Sequence, residues 1–186
     1  MKPLVIEYPM SKCKDLNKAL YNLLPNYFVN RLGGGEYPGG HRTNFNLHKQ
    51  GIQEVNQLVE WIKSKLPEVA TYFAKLNPGE HCGFNEYGFQ ITNMWGILYN
   101  KGDCVRPHNH FPLTLSLSYY IKAPKGCSPL VIEKKKLKVK AGQCVFFLGS
   151  DWHGTKPEPV GGRCLIAANI LYTRQKNERG GIANDS

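Results

Sequence analysis

The sequence predicts an α+β protein in which N-terminal helices pack on one face of a jelly-roll core, a double-stranded β-helix. Apolar residues recur at helical spacing in the first third of the chain, whereas the second half is a series of short β-rich segments separated by glycine, proline or polar residues. Helices followed by closely spaced strands are typical of an α+β fold whose strands form a sandwich or a jelly roll. The 186 residues suffice for one substantial core, so we expect a single domain over residues 1–186.

The first helix is predicted close to the start of the chain. In the segment SKCKDLNKALYNLLPNY, Leu16, Leu20 and Leu23 recur at the spacing of one helical face. A side-chain oxygen that accepts from the first free amides often begins a helix, and Ser11 and Asp15 are in position for this role. We therefore expect an amphipathic helix that one of these two residues caps.

The second helix is predicted after a glycine-rich loop, GGGEYPGGHRTNF. Pro67 lies inside its pattern and is expected to break or kink it, because proline lacks the amide that a helix interior requires. With both helices in place, residues 1–80 should form a helical support region. The apolar stripe of the second helix consists of Val55, Leu58, Val59 and Ile62.

The β-rich half predicts the core. We expect the jelly roll over residues 81–174 and a flexible tail over residues 175–186, where polar residues and glycine dominate. The strand-like segments are FQITNMWGILYN, LTLSLSYYIKA, PLVIEKK, LKVKA, QCVFFLG and RCLIAANILYTR.

Composition indicates where the protein works. No apolar run approaches the roughly 18 to 20 residues that span a bilayer, and the first residues lack the pattern of a cleavable secretion signal. The six cysteines lie far apart without CxxC pairs, which favours reduced thiols. We therefore expect a cytoplasmic protein with no membrane partner.

The net charge of +10 favours an anionic partner, such as nucleic acid, an acidic protein or a small polyanion. Charge alone does not choose among these. The densest basic stretch, EKKKLKVK over residues 133–140, alternates lysine with apolar residues. This pattern predicts a strand at a solvated sheet edge, where lysines prevent pairing with another edge.

Two histidines one residue apart stand at the head of RPHNHFPLTLSLSYY, residues 106–120. If this segment is extended, its side chains alternate and its leucines occupy one face, although Pro112 disfavours that register. A His-x-His pair on a strand is able to chelate a metal ion, but it fits an ordinary strand equally well, so more ligands are required. The opposite, small and polar face would consist of His108, His110, Thr114, Ser116, Ser118 and Tyr120.

His153 is the candidate third ligand, because it follows the strand segment QCVFFLGSDW and distant strands meet across a jelly roll. The alternative is a loop histidine hydrogen-bonded near Asp151. Arg163 begins the last long strand, and we expect its guanidinium to point into the barrel. A buried guanidinium requires an acidic partner; none is apparent nearby in the sequence, and the carboxylate of a ligand would meet this need.

Together these motifs resemble a known family. The order Tyr-x-x-Gly-Asp, His-x-His, SYYIK and His-x(9)-Arg is similar to that of the iron(II)- and 2-oxoglutarate-dependent oxygenases, most of all to the prolyl-hydroxylase-like group found in marine bacteria and phages. The resemblance covers residues 89–172 well. It implies a dioxygenase that hydroxylates a C–H bond of its substrate, such as a peptidyl proline, while 2-oxoglutarate and dioxygen are consumed.

The resemblance also implies residue roles. His108 would be the first iron ligand and His153 the last, and His110, at the position of the family's usual carboxylate, would be the third. Arg163 would bind the distal carboxylate of 2-oxoglutarate. The remaining transferred roles are cosubstrate contacts by Tyr120 and Tyr99 and a position facing the iron for Asn169.

Two departures from the family pattern leave alternatives open. Most members carry a carboxylate where this chain has His110, and many carry serine or threonine where it has Leu165. The segment from Gly102 to His110 also fits the opening pattern of cupins, among which three-histidine iron sites serve thiol dioxygenases that do not use 2-oxoglutarate. The further alternative is a basic module that binds nucleic acid, although no recognisable nucleic-acid motif is present.

Overall fold

The computed structural model describes residues 2–29, 40–76 and 87–174. The predicted tail over residues 175–186 and most of the glycine-rich loop lie outside the described residues, as do His81 and Cys82. Two helices, α1 (Met10–Leu23) and α2 (Gln53–Leu76), accompany two antiparallel sheets. The strands are β1 (Leu4–Glu7), β2 (Phe28–Val29), β3 (His41–Thr43), β4 (Tyr87–Tyr99), β5 (Val105–His108), β6 (Leu115–Lys122), β7 (Leu130–Ile132), β8 (Lys135–Leu137), β9 (Gln143–Leu148), β10 (His153–Thr155) and β11 (Arg163–Arg174).

The two sheets form the layers of a jelly roll. The larger sheet has the strand order β1-β9-β6-β11-β4-β3-β2, and the smaller one has the order β5-β10-β7-β8. Their inner faces share one apolar cluster, in which Phe147 and Leu165 of the larger sheet meet Leu130 and Ile132 of the smaller sheet. This arrangement agrees with the predicted fold class.

The helices cover the outer face of the larger sheet. Leu16 and Leu20 of α1 and Leu58 and Ile62 of α2 are buried in the same cluster as Leu117 of β6. Burial of an aliphatic side chain stabilises a fold by about 1.5–3 kcal/mol, so this layer contributes much of the free energy of folding. The helices therefore leave the inner face of the sheet free to line a cavity.

The expected caps of α1 are wrong. Neither Ser11 nor Asp15 caps the helix, and no side chain does so. The chain enters α1 through Pro9, whose carbonyl accepts from the amides of Lys12 and Cys13. Since Pro9 fixes the entry geometry and main-chain bonds serve the first turn, a side-chain cap is not required.

Pro67 does not break α2, the first of the two outcomes expected for it. The helix runs without interruption from Gln53 to Leu76, with Pro67 in its second half. The apolar stripe continues on both sides of the proline, with Leu66 and Val69 buried. Packing of this stripe outweighs the single hydrogen bond that proline removes, which costs about 3 kcal/mol or more together with its clash.

The N-terminal region also contributes strands that the helical pattern concealed. β1 pairs with β9, and β2 and β3 extend the larger sheet beside β4. Strands of two to four residues are too short for alternation to reveal them. As a result, β3 brings the segment from His41 to Phe45 to one side of the cavity described below.

Three expectations from composition and charge can be compared with the structure. Cys13, Cys104, Cys127, Cys144 and Cys164 are free thiols. In the described parts of the chain, no helix is long and apolar enough to cross a membrane. Part of the lysine-rich segment, Lys135–Leu137, forms β8 at the edge of the smaller sheet, whereas residues 138–140 follow outside the strand.

Candidate metal centre and its cavity

Three histidines converge at the mouth of the jelly roll. His108 ends β5, His110 lies in the following turn, and His153 begins β10, where it pairs with His108 across the ladder. The ring centroids are 4.4 Å apart for His108 and His153, and 4.9 Å apart for each of the other two pairs. One nitrogen of each ring lies within 4.8 Å of those of the others, a spacing that suits three ligands of one metal ion.

Backbone carbonyls orient two of these rings. The Nδ1 atom of His108 lies 2.9 Å from the carbonyl oxygen of Arg106, and the Nδ1 atom of His153 lies 3.1 Å from that of Asp151. A carbonyl oxygen only accepts, so Nδ1 carries the proton in each ring. The unprotonated Nε2 atom is then the one available as a ligand.

The cluster favours neutral imidazoles. Burial, reinforced by His108, lowers the pKa of His110 from 6.5 to about 4. Burial and the neighbouring histidines lower the pKa of His153 to about 3, although its bond to the Asp151 carbonyl acts in the opposite direction. A neutral ring has the lone pair that a metal requires, so both residues are ready to bind an ion at neutral pH.

The segment carrying the first two histidines is not one continuous strand. β5 ends at His108, and β6 begins at Leu115. The intervening turn contains Pro112 and is held by a 2.7 Å bond from the His110 amide to the Gly149 carbonyl. The expected alternation over residues 108–120 therefore holds only from Leu115 onwards, and the turn, rather than strand geometry, brings His110 to His108.

From Leu115 the two faces separate as the sequence indicates. Leu117 and Tyr119 pack with the helices, whereas Ser116, Ser118 and Tyr120 line a cavity of about 790 Å³ between the sheets. The three histidines line the same cavity. This volume lies within the usual range for sites that bind small molecules.

Arg163 is fully buried, as expected, but it already has an acidic partner. Its Nε atom lies 2.8 Å from Oε2 of Glu158, and neither side chain is exposed to solvent. Its Nη1 atom donates to the Ser128 carbonyl at 3.2 Å, and its Cζ atom lies 4.2 Å from the centre of the Tyr99 ring. The expectation that no acidic partner lies nearby is wrong. Glu158 belongs to the loop before β11, where alternation gives no signal.

Glu158 is itself held in place. Its Oε1 atom accepts a 3.0 Å bond from the amide of Ser128, and its own amide donates to the Asp103 carbonyl at 2.8 Å. Loop and strand atoms therefore fix the carboxylate against the guanidinium of Arg163. The pair is part of the folded framework rather than a contact between mobile side chains.

Two donors beside this pair have no partner among the described residues. They are the Nη2 atom of Arg163 and the hydroxyl of Tyr120, and both are buried. Burial raises the pKa of Tyr120 well above its usual value despite the opposing charge of Arg163, so its hydroxyl stays protonated. Burial likewise raises the pKa of Tyr99 to about 12. An unpaired buried donor costs about 1–3 kcal/mol, so the Tyr120 hydroxyl, which belongs to a residue lining the cavity, and the neighbouring Arg163 cation suit an anionic ligand.

Asn169 and three residues that the sequence analysis missed complete the walls. Asn169 lines the cavity, and its Oδ1 atom accepts a 3.0 Å bond from the Ser116 hydroxyl. Arg42, Phe45 and Trp95 line the same cavity. No motif marked them, because Arg42 and Phe45 lie in and after a strand of three residues and Trp95 reads as an ordinary strand residue.

Comparison with known proteins supports the fold. No family model matches the chain, and the comparison with curated proteins finds no match. A collagen prolyl hydroxylase of Paramecium bursaria Chlorella virus-1, solved with 2-oxoglutarate, is 19% identical, with a TM-score of 0.60 over 95% of this chain and 97% of that one. A prolyl-4-hydroxylase of Pseudomonas putida is 12% identical, with a TM-score of 0.60 over 93% and 92% of the two chains.

The jelly roll is similar to the folds of solved prolyl hydroxylases. A third solved structure with this fold is a prolyl hydroxylase of Trichoplax adhaerens in complex with a peptide of hypoxia inducible factor. It is 14% identical, with a TM-score of 0.61 over 90% of this chain and 82% of that one. The predicted fold class is therefore confirmed, and the likeness at these identities concerns the fold.

Proposed function

We propose that the protein is an iron(II)- and 2-oxoglutarate-dependent dioxygenase that hydroxylates a C–H bond. The observation that carries this proposal is the convergence of three imidazoles on a cavity that Tyr120 also lines, with a buried hydroxyl that has no partner among the described residues. The fold shared with such oxygenases supports it. The proposal has two parts: the first concerns the metal and the second concerns the cosubstrate.

The histidine cluster suits iron(II). Imidazole is a common ligand of iron, and three nitrogens from one side leave positions open for other ligands. His110 replaces the carboxylate that most such sites use, so the protein supplies no negative charge of its own to the metal. We therefore propose His108, His110 and His153 as the complete set of protein ligands.

Tyr120 and Arg163 suit the distal carboxylate of 2-oxoglutarate. The Tyr120 hydroxyl and the free Nη2 of Arg163 are able to donate to its two oxygens. Tyr99, whose ring lies against the guanidinium, would fix the orientation of Arg163. Asn169, held by Ser116, would contact the cosubstrate or the substrate near the metal.

In the proposed reaction the iron and 2-oxoglutarate supply the oxidising power for C–H hydroxylation. The chain's own residues position the reactants and exclude water. Phe147 packs 4.6 Å from the His153 ring, and Trp95 lies 6.1 Å from His110, so apolar side chains surround the cluster. Such a wall keeps bulk water from the metal during turnover.

The proposed substrate is a peptidyl side chain such as proline. Two observations support this: the structural neighbours include prolyl hydroxylases, and one of them was solved with a peptide. The cavity also reaches the surface beside Arg42 and Phe45, both of which are exposed. An exposed opening admits a side chain presented by a larger molecule.

A titration without any substrate tests the proposal. The metal-free protein is kept anaerobic and receives iron(II) and then 2-oxoglutarate, while a weak visible charge-transfer band is monitored. We expect the band to form in the wild type and in His48→Ala, and to be lost in His153→Ala. His48 is a suitable control because it lies outside the cluster. Absence of the band in a protein that binds iron contradicts the use of 2-oxoglutarate.

The pairing of Arg163 with Glu158 favours a second candidate function. A three-histidine iron dioxygenase that does not use 2-oxoglutarate needs no cation for a distal carboxylate, and here that cation is already balanced. Iron-dependent oxygen uptake with a small thiol, in the absence of 2-oxoglutarate, would support this alternative. Absence of oxygen uptake under those conditions would exclude this alternative function.

A further inference from the structure

A row of aromatic side chains leads from the metal cluster to a cation at the surface. The Trp95 ring lies 6.1 Å from that of His110, and the Phe45 ring lies 5.0 Å from Trp95. The Cζ atom of Arg42 lies 4.9 Å from the centre of the Phe45 ring. All of these residues line the one cavity, so the row forms a continuous wall from the metal ligands to the opening.

The cation at the end of this row is available to a ligand. Arg42 is exposed, and no acidic side chain in the described ranges pairs with it. Among the described residues, its guanidinium stacks on the ring of Phe45. A guanidinium stacked on an aromatic ring keeps its donor edge free and loses little freedom when it binds a carboxylate.

The aromatic part of the row is rigidly placed. The carbonyl of Phe45 accepts a 2.9 Å bond from the amide of Met94, the residue before Trp95. The Phe45 side chain is nevertheless 44% exposed. An apolar ring that the backbone fixes at a cavity opening, without being buried, provides a surface for the apolar part of a ligand.

We propose that Arg42, Phe45 and Trp95 form a substrate subsite for an anionic group carried on an apolar ring or stem. The stem lies along Trp95 and Phe45, and the carboxylate pairs with Arg42, while the far end of the molecule reaches the metal cluster. This inference rests on the proposed function for the identity of the reaction, but not for the binding itself. The net charge of +10 helps such a substrate to approach.

The carboxylate has two sources that share this chemistry. It can belong to a free small acid or to an acidic side chain next to the target residue in a peptide. Both place an anion beside an apolar group, so Arg42 and Phe45 do not distinguish them. The test below therefore includes one pair of molecules for each source.

The test uses pairs of molecules that differ only in charge. The free pair is 3-phenylpropionate and 3-phenylpropionamide; the peptide pair is acetyl-Phe-Asp-amide and acetyl-Phe-Asn-amide. Affinities are measured by ligand-observed NMR on protein loaded with zinc(II), which is diamagnetic. We expect the wild type to bind the acid of at least one pair about tenfold more tightly than the amide, equivalent to one charge-assisted pair.

Matched variants assign that preference to Arg42. Arg42→Gln should reduce it to less than about twofold, whereas Arg42→Lys should keep most of it because the charge remains. Lys12→Gln removes the same charge from α1, outside the cavity, and should leave the preference unchanged. Phe45→Ala should weaken the acid and the amide together, since it removes the surface for the shared stem.

Each contrary outcome overturns the subsite. These outcomes are no preference for an acid in the wild type, a preference that survives Arg42→Gln, and acid binding that 2-oxoglutarate abolishes. The last would place the acid at Arg163 instead. The binding assay does not depend on turnover. If the protein shows the Arg42-dependent preference for the acid but no charge-transfer band with iron and 2-oxoglutarate, the proposed function is refuted and the subsite stands.

Discussion

Two arginines differ in how the protein holds them: Arg42 lines the cavity, and Arg163 lies behind its wall against Tyr99, which lines the cavity too. Arg163 is fully buried and held by Glu158, Ser128 and Tyr99, whereas Arg42 is exposed and, within the described part of the chain, stacks on Phe45. A buried guanidinium requires a permanent partner if the protein is to fold without its ligand. An exposed one is solvated by water and needs none. The buried side chain and its partner therefore contribute to the stability of the fold, whereas the exposed one is expected to contribute little.

The largest expected effect is on the buried pair. Replacing Arg163 by methionine leaves the Glu158 carboxylate buried without a counter-charge, which should lower the free energy of unfolding by about 3–5 kcal/mol. Urea unfolding of the apoprotein measures this change. The double variant Arg163→Met and Glu158→Leu should recover most of the loss, because it removes both charges. A double variant as unstable as the single one would contradict the pairing.

The second prediction concerns how much a bound dicarboxylate stabilises the protein when the Arg163–Glu158 pair is altered. Glu158→Gln leaves the Arg163 guanidinium without its counter-charge, so a bound dicarboxylate should stabilise this variant more than it stabilises the wild type. Thermal unfolding with iron(II), measured anaerobically with and without 2-oxoglutarate, reports the two shifts. We expect the shift to be larger by several degrees in the variant. Equal shifts would separate Glu158 from the cosubstrate site.

The third prediction concerns pH. Folding lowers the pKa of His110 to about 4 and that of His153 to about 3, so the unfolded chain takes up protons first as the pH falls. Their contribution to stability is complete above pH 6.5 and is lost progressively from there towards pH 3 to 4. The melting temperature of the apoprotein should fall by several degrees in this range. In His110→Asn the fall should be shallower.

The smallest expected effect completes the comparison. Arg42→Gln should change the free energy of unfolding by no more than about 0.5 kcal/mol, because the side chain is exposed and no described acidic residue pairs with it. Urea unfolding beside the Arg163→Met variant measures both under one condition. A loss of more than 1 kcal/mol would mean that Arg42 has a structural role and would weaken its assignment to a substrate.

Long periodic segments were predictable from the sequence, and short ones were not. The division of β6 into a leucine face and a polar face follows from alternation, and the meeting of His153 with His108 follows from how jelly-roll strands cross. β1 to β3 and Arg42 lie in segments of two to four residues, where no period can be detected. Glu158 lies in an irregular loop, and its position depends on main-chain bonds to Ser128 and Asp103, which leave no trace in a pattern.

The two carbonyl bonds that orient His108 and His153 have an evolutionary consequence. Each ring bonds the carbonyl of the residue two positions before it, at Arg106 and Asp151. In many metal sites a carboxylate side chain orients the ligand ring instead. A single substitution of that supporting residue can then disorder the ligand. Here the supporting atom belongs to the polypeptide itself, which every amino acid provides. Drift at either supporting position can therefore alter the surroundings of the centre without releasing the rings that form it.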